Sequence, residues 1–232
     1  MPLHLGIIPD GNRRYCQENN ASLKDVVNIL YTNVIHIFTI ISTGGKPNKY
    51  RNIKDITELS IYMISYDNLM KRDENQLKVI FDFINRLCDY IITSTDIIHR
   101  TLFNKINLLI VGRIKELPEN LQKLIYRINK RNEGIVEQAA KTKTVLFTIT
   151  LAIAYDPIQD MYNIVNNIDK RIQTPIDLII RSSGEKRLSG FFPCHSLYSE
   201  LLFINNNWPE IELCDIDDSI DIYYKRNRRF GK

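Results

Sequence analysis

Apolar and polar positions along this chain follow two patterns: short runs dominated by apolar residues, and longer stretches repeating at helical spacing. The short runs at 4–9, 57–64, 106–112, 144–151, 176–181 and 200–204 predict strands buried on both faces. Between the first two, Ser22-Leu-Lys-Asp25 opens a helix over 22–43, with Leu23, Val26, Val27, Leu30, Val34, Ile37, Phe38 and Ile41 on one face. Gly44-Gly45 ends it and Pro47 follows. A second helix over 74–92 places Leu77, Ile80, Phe81, Ile84, Leu87, Cys88 and Ile91 together, and a third over about 118–140 begins at Pro118. Strands alternating with helices predict an α/β fold, with a central, mainly parallel six-stranded sheet flanked by helices. No repeat or low-complexity linker divides residues 1–232, which read as a single domain; the polar segment 46–54 reads as a flexible insert.

Two of the predicted strands end in chemistry. The run Ile176 to Ile180 stops at Arg181, then Ser-Ser-Gly-Glu-Lys leads to Arg187 and Ser189. Carboxyl ends of strands are where open α/β sheets hold their ligands. Two guanidiniums and a hydroxyl there suit a phosphate or diphosphate, because arginine presents a rigid fork of donors. The first strand likewise runs into Asp10-Gly11-Asn12-Arg13-Arg14. Gly11 permits close backbone approach, and a helix starting near Asn12 aims free N–H groups at an anion. A carboxylate in so basic a cradle calls for a divalent cation, and Mg²⁺ takes one or two carboxylates plus phosphate oxygens. Asp-Gly-Asn alone is also an ordinary turn, and the arginine loop alone a solvated basic loop; their pairing favours a ligand.

Composition narrows the partners. A net charge of +4 suits anionic ligands, nucleic acid or an anionic membrane surface. The chain has no Gly-x4-Gly-Lys-Ser/Thr, no Gly-x-Gly-x-x-Gly and no aromatic-rich RNA motif, so no nucleic-acid partner is expected. No stretch approaches the roughly 20 apolar residues of a membrane span, and Met1-Pro-Leu-His lacks the start of a signal peptide. Cys16, Cys88, Cys194 and Cys214 form no Cys-x-x-Cys pair and read as reduced thiols of a cytoplasmic protein.

Asp10-Gly-Asn-Arg-Arg14, Arg181-Ser-Ser-Gly-Glu-Lys-Arg187-Leu-Ser189, Tyr198-Ser-Glu200-Leu-Leu-Phe and Trp208-Pro209 resemble, in order and spacing, the signatures of the cis-prenyltransferases, the family of undecaprenyl and dehydrodolichyl diphosphate synthases. Ser65-Tyr-Asp-Asn68, Gly112 with Leu117-Pro118, and the closing Arg228-Arg229-Phe-Gly231 are weaker matches. The resemblance implies transfer of an allylic diphosphate starter, farnesyl-type or shorter, onto isopentenyl diphosphate. Asp10 and Asn68 would be catalytic. Gly11, Asn12, Arg13, Arg14, Tyr15, Lys24, Ser65 and Lys71 or Arg72 would bind the allylic diphosphate. Arg181, Arg187, Ser189, Arg229 and Gly231 would bind isopentenyl diphosphate. Asp10 and Glu200 would hold Mg²⁺, Glu200 across a dimer interface. It further implies a homodimer, peripheral membrane contact for product release, and an apolar tunnel between the two long helices and the sheet, faces that composition alone reads as core.

The chain departs from the family pattern in places. Lys24 stands where the family has a histidine, and His36 lies too deep in the predicted helix to replace it and reads as packed. Ala154-Tyr155-Asp156-Pro157-Ile158 replaces an Asn-Tyr-Gly-Gly-Arg run, and Leu69 replaces an aromatic. Two other readings are a non-catalytic partner subunit and a basic nucleotide- or nucleic-acid-binding module. Retention of both Asp10-Gly-Asn and the terminal Arg-x-Gly favours a self-sufficient enzyme.

Overall fold

The computed structural model describes residues 2–42, 50–93, 104–166, 168 and 174–228. Six strands form one sheet: β1 (Leu3–Ile8), β2 (Ile56–Ser65), β3 (Ile106–Val111), β4 (Phe147–Tyr155), β5 (Leu178–Arg181) and β6 (Glu200–Phe203). Their order is β3-β4-β2-β1-β5-β6, and every pairing is parallel. All six residues of β1, His4 among them, are buried, as a strand in the interior of a two-sided sheet requires. The fourth strand reaches Tyr155, four residues past the predicted end at 151. Thr144 starts no strand because Lys143 closes the preceding helix in a left-handed turn, while Leu151 to Tyr155 are all buried between neighbours.

Helices α1 (Asn12–Asn19), α2 (Leu23–Ser42), α3 (Tyr66–Lys71), α4 (Glu74–Thr93), α5 (Glu119–Thr142), α6 (Pro157–Val165) and α7 (Leu213–Lys225) are the α-helices among the described residues. The Ser22 hydroxyl accepts from the Asp25 N–H while the Asp25 carboxylate accepts from the Ser22 N–H, capping α2 as its sequence predicts. Val27, Val34, Ile37 and Phe38 of α2 and Ile84, Leu87 and Ile91 of α4 are buried in the main core. His36 is exposed rather than packed, because it lies on the outer face of α2. Gly44-Gly45 and Pro47 lie outside the described residues. The later part of the expected flexible insert is instead held firmly: the buried Asp217 carboxylate of α7 accepts from the backbone N–H groups of Arg51, Asn52 and Ile53 at 3.1, 2.7 and 3.0 Å.

The strand order positions the site. From β1 the chain crosses to β2 on one side and later to β5 on the other, so β1 and β5 form the switch point at which a parallel sheet opens a crevice beyond its carboxyl ends. Ile8 pairs with Arg181 in register, which brings the loops after β1 and β5 together.

Candidate active site

Asp10 and Arg181 meet at that switch point. Arg181 Nη2 donates to Asp10 Oδ2 at 2.7 Å, and its Nη1 donates to the Ser189 hydroxyl at 2.9 Å and to the Arg187 carbonyl. Arg181 is 4 % exposed and Asp10 39 %, so one carboxylate edge faces open space while the guanidinium is buried behind it. Ser182 fastens the two loops, since its hydroxyl donates to the Asp10 carbonyl and accepts from the Asp10 N–H, both at 2.8 Å. Ser183 accepts from Arg14 Nη1 at 2.7 Å. Their place inside the arginine motif is the one sequence signal of this role for either serine.

Gly11 begins α1 with φ 91°. A Cβ there would lie 2.3 Å from Asn207 Oδ1 and 2.9 Å from Ser183 Cβ, so only glycine fits without strain. The first turn of α1, Asn12 to Arg14, lines the same cavity as Asp10, and a helix start attracts anions. Arg13 and Arg72 donate to no carboxylate among the described residues, and Arg72 Nε is buried without a partner. Burial, and then the positive Arg13, pull the Arg72 pKa below its ordinary value, against Asp10, which raises it. An anion bound between these arginines would relieve that repulsion.

A cavity of about 950 Å³ joins these groups to an apolar wall. Its polar end holds Asp10 to Arg14, Arg72, Arg181, Arg187 and Ser189, with Ser65, Asn68 and Lys71 at its side; Val26, Val27 and Leu30 of α2 and Ile80 and Phe83 of α4 supply the apolar part. Ser65 caps α3 by accepting from the Asn68 N–H at 3.1 Å. Of the two cations between which the sequence left the register open, Arg72 turns inward, while Lys71 is exposed and pairs with Asp67 at 3.7 Å. Arg187 lines the cavity and pairs with Glu185 at 2.5 Å.

Other expected residues lie elsewhere. Tyr15 and Lys24 do not line the cavity; Lys24 is exposed on the outer side of α2, so it cannot stand in for a site histidine there. Glu200 opens β6 opposite Leu178, whereas Asp10 follows the other end of β1. The three steps from Leu178 to Arg181 alone span about 10 Å, so Glu200 and Asp10 of one chain cannot share an ion. Glu200 instead accepts from Arg226 Nη1 at 2.7 Å. Arg229 and Gly231 lie outside the described residues. Among the described residues no group of three or more His, Cys, Asp or Glu could hold a metal by itself. A lone half-exposed Asp10 among arginines fits Mg²⁺ only where a phosphate ligand completes its coordination.

An open parallel α/β sheet with a carboxylate–guanidinium cluster at its switch point, in a cavity with an apolar wall, suits an anionic head joined to an apolar tail. The chain belongs to the undecaprenyl diphosphate synthase family of prenyltransferases, whose family model matches residues 8–231. It is 30% identical over 253 residues to the tritrans,polycis-undecaprenyl-diphosphate synthase (GGDP specific) of Sulfolobus acidocaldarius, covering 99% of this chain and 88% of the relative. It is 31% identical to the geranylgeranyl-diphosphate-specific synthase of Picrophilus torridus, over 100% of this chain and 91% of the relative. Its fold is similar to that of lavandulyl diphosphate synthase from Lavandula x intermedia in complex with dimethylallyl diphosphate, with TM-score 0.74, 21% identity and coverage of 100% and 98%. It is also similar to a probable undecaprenyl diphosphate synthase from Campylobacter jejuni, with TM-score 0.68, 19% identity and coverage of 100% and 99%.

Proposed function

We propose that the chain condenses an allylic diphosphate with isopentenyl diphosphate to lengthen a cis-polyprenyl diphosphate. The observation that carries this reading is the convergence of Asp10, Arg181 and Ser189 with the α1 N-terminus at one end of a cavity whose other end is walled by α2 and α4. Arg13, Arg14, Arg72 and the first N–H groups of α1 bind the allylic diphosphate. Arg181, Arg187 and Ser189 bind isopentenyl diphosphate, and Asn68 and Asp10 assist proton removal. The allylic C–O bond breaks with its electron pair on the diphosphate, held by arginines placed where negative charge develops. The double bond of isopentenyl diphosphate attacks the freed carbon, and a proton leaves to form the new double bond. Asp10, together with substrate phosphates, would hold Mg²⁺, which when bound would neutralise charge developing on the leaving group.

The apolar residues between α2 and α4 receive the growing chain, forming the tunnel. The names of these relatives favour a geranylgeranyl-type starter, longer than the farnesyl-type or shorter starter implied by the family resemblance. The working unit is a homodimer, and its site is completed by the partner's tail. Support for this lies in where the described tail runs: Arg226 donates to Glu200 and the Leu201 carbonyl, and Arg228 to Asp177 and the Tyr198 carbonyl, at the edge of the sheet away from Asp10. Among the described residues no helix is long and apolar enough to cross a membrane. The enzyme works in the cytoplasm, touching the membrane that takes up its product.

Incubation with radiolabelled isopentenyl diphosphate, Mg²⁺ and geranylgeranyl, farnesyl or dimethylallyl diphosphate tests the reading. Label should enter cis-polyprenyl products fastest with the geranylgeranyl starter. Asp10→Asn should stay folded and lose about a hundredfold or more in turnover, the scale of one lost electrostatic stabiliser. Full activity in EDTA, or in Asp10→Asn, would reject Asp10 as the metal-binding carboxylate.

A further inference from the structure

The loops after three adjacent strands are tied by a single guanidinium. Arg113, two residues beyond β3, donates from Nε and Nη2 to Asp156 Oδ2 at 2.8 and 2.6 Å. Asp156 follows β4 directly. The same guanidinium lies over the Tyr66 ring, 4.4 Å from its centre, and Tyr66 follows β2 as the first residue of α3. Gly112 makes the approach of the chains feasible: at φ 131°, a Cβ would stand 1.9 Å from the Ile153 carbonyl oxygen. The Arg113 N–H then donates to the Ala154 carbonyl at 3.0 Å, which fixes the base of the arginine against β4.

Asp156 lines the cavity beside Ser65, Tyr66 and Asn68, yet its oxygens are already engaged. Oδ2 takes both arginine donors, and Oδ1 caps α6 by accepting from Ile158 N at 2.9 Å and Gln159 N at 3.3 Å. Burial raises the Asp156 pKa, but the Arg113 bond and the two backbone bonds outweigh it and hold the carboxyl below its ordinary value. This acid is a fixed counter-ion rather than a proton acceptor. Helix α3, which presents Asn68 and Lys71 to the cavity, has six residues, too few to persist without tertiary support. Its supports are the Ser65 cap, the single buried Leu69 and the Tyr66 ring under Arg113.

We infer that Arg113, oriented by Asp156, is a positioning residue that holds Tyr66 and thereby sets Asn68 and its neighbours against the reacting carbons. The inference rests on the proposed function for its catalytic half, but the ordering of α3 stands apart from it. Hydrogen exchange of the amides of residues 66–72 is therefore read alongside steady-state kinetics in Arg113→Ala, Arg113→Lys, Asp156→Asn and Tyr66→Leu. In Arg113→Ala, exchange over 66–72 should quicken about tenfold or more as the segment loosens. Its kcat should fall about tenfold or more, with the KM for isopentenyl diphosphate changed less than about threefold, because the lesion misplaces groups without removing a diphosphate contact. Arg113→Lys keeps the charge without the fork and should fall between Arg113→Ala and wild type. Asp156→Asn retains a cap for α6 and should reproduce most of the loss. Tyr66→Leu leaves the ion pair intact and should show the same exchange and kcat pattern, which decides the matter even where Arg113→Ala does not fold. Unchanged exchange over 66–72 in folded variants, or a change confined to KM, would overturn the inference. Absence of prenyl transfer in the unaltered protein would reject the proposed function, and the exchange result alone would then decide the role of Arg113.

Discussion

Asp10 is surrounded by positive charge, yet its one hydrogen-bonded guanidinium partner, Arg181, comes from a residue 171 positions away. The residue types of the cradle were legible locally: a carboxylate, a glycine and four arginines at two strand ends. Lys24 and Tyr15 fit a motif position and still miss the cavity, because helix rotation rather than sequence spacing decides where a side chain points. His4 shows what burial does to a single residue. Its Nε2 meets the Ser60 hydroxyl at 2.8 Å, and Nδ1 lies 3.3 Å from the Thr174 hydroxyl and 3.9 Å from Glu58. Burial depresses its pKa below 6.5, against Glu58, Thr174 and Asp177, which raise it. Below about pH 6.5 the unfolded chain takes up a proton that the folded chain refuses, so stability is full above that value and declines as the pH falls toward the lower folded pKa. The melting temperature should therefore drop between about pH 7.5 and pH 5.5, and drop less in His4→Gln. Parallel pH profiles for the two proteins would exclude His4 as the cause.

Among the elements, the long amphipathic helices declared themselves, whereas α3, α6 and α7 did not. Helix α7 buries Ile216, Ile220 and Tyr223 at helical spacing, a signal masked by its acidic residues. One of those acids, Asp217, has a structural use that no periodicity reveals: it accepts three consecutive backbone N–H groups leading into the 53–55 turn. Asp217→Ala strands those donors, including the fully buried Ile53. The loss should be about 2–4 kcal/mol, the range for several bonds to a charged acceptor partly replaced by water. Urea denaturation should show a lower midpoint with an unchanged slope. An unaltered midpoint would mean that water satisfies those N–H groups at no cost.

For the whole molecule, the direction of the tail is the informative feature. Arg226 and Arg228 lie against Glu200, Asp177 and Tyr198, while Asp10 opens beyond the other end of the strands. Exposed Leu197 and Tyr198 adjoin this edge, and Ile158, Tyr162 and Val165 form an exposed apolar stripe on α6, surfaces suited to a second copy. Deleting residues 229–232 should leave the dimer intact by light scattering but cripple use of isopentenyl diphosphate. Mixing that chain with Asp10→Asn in equal amounts should restore about one quarter of full activity: half the dimers are mixed, and each mixed dimer holds one undamaged site when tails act across the two-fold axis. A monomer, or no recovery after proven subunit exchange, would exclude the shared site.

The sequence by itself determined the α/β alternation, the two long apolar helices and the chemistry at two strand ends, because periodicity, turns and charge are properties of neighbouring residues. Strand order is not. Only the fold placed β5 beside β1, so that Arg181 reaches Asp10, and set Glu200 at the opposite end of the strands from Asp10 of its own chain. Only the fold assembled Arg113, Asp156 and Tyr66 from three strands. Such contacts arise where separate loops converge across a sheet, and no local pattern encodes which strands will lie side by side.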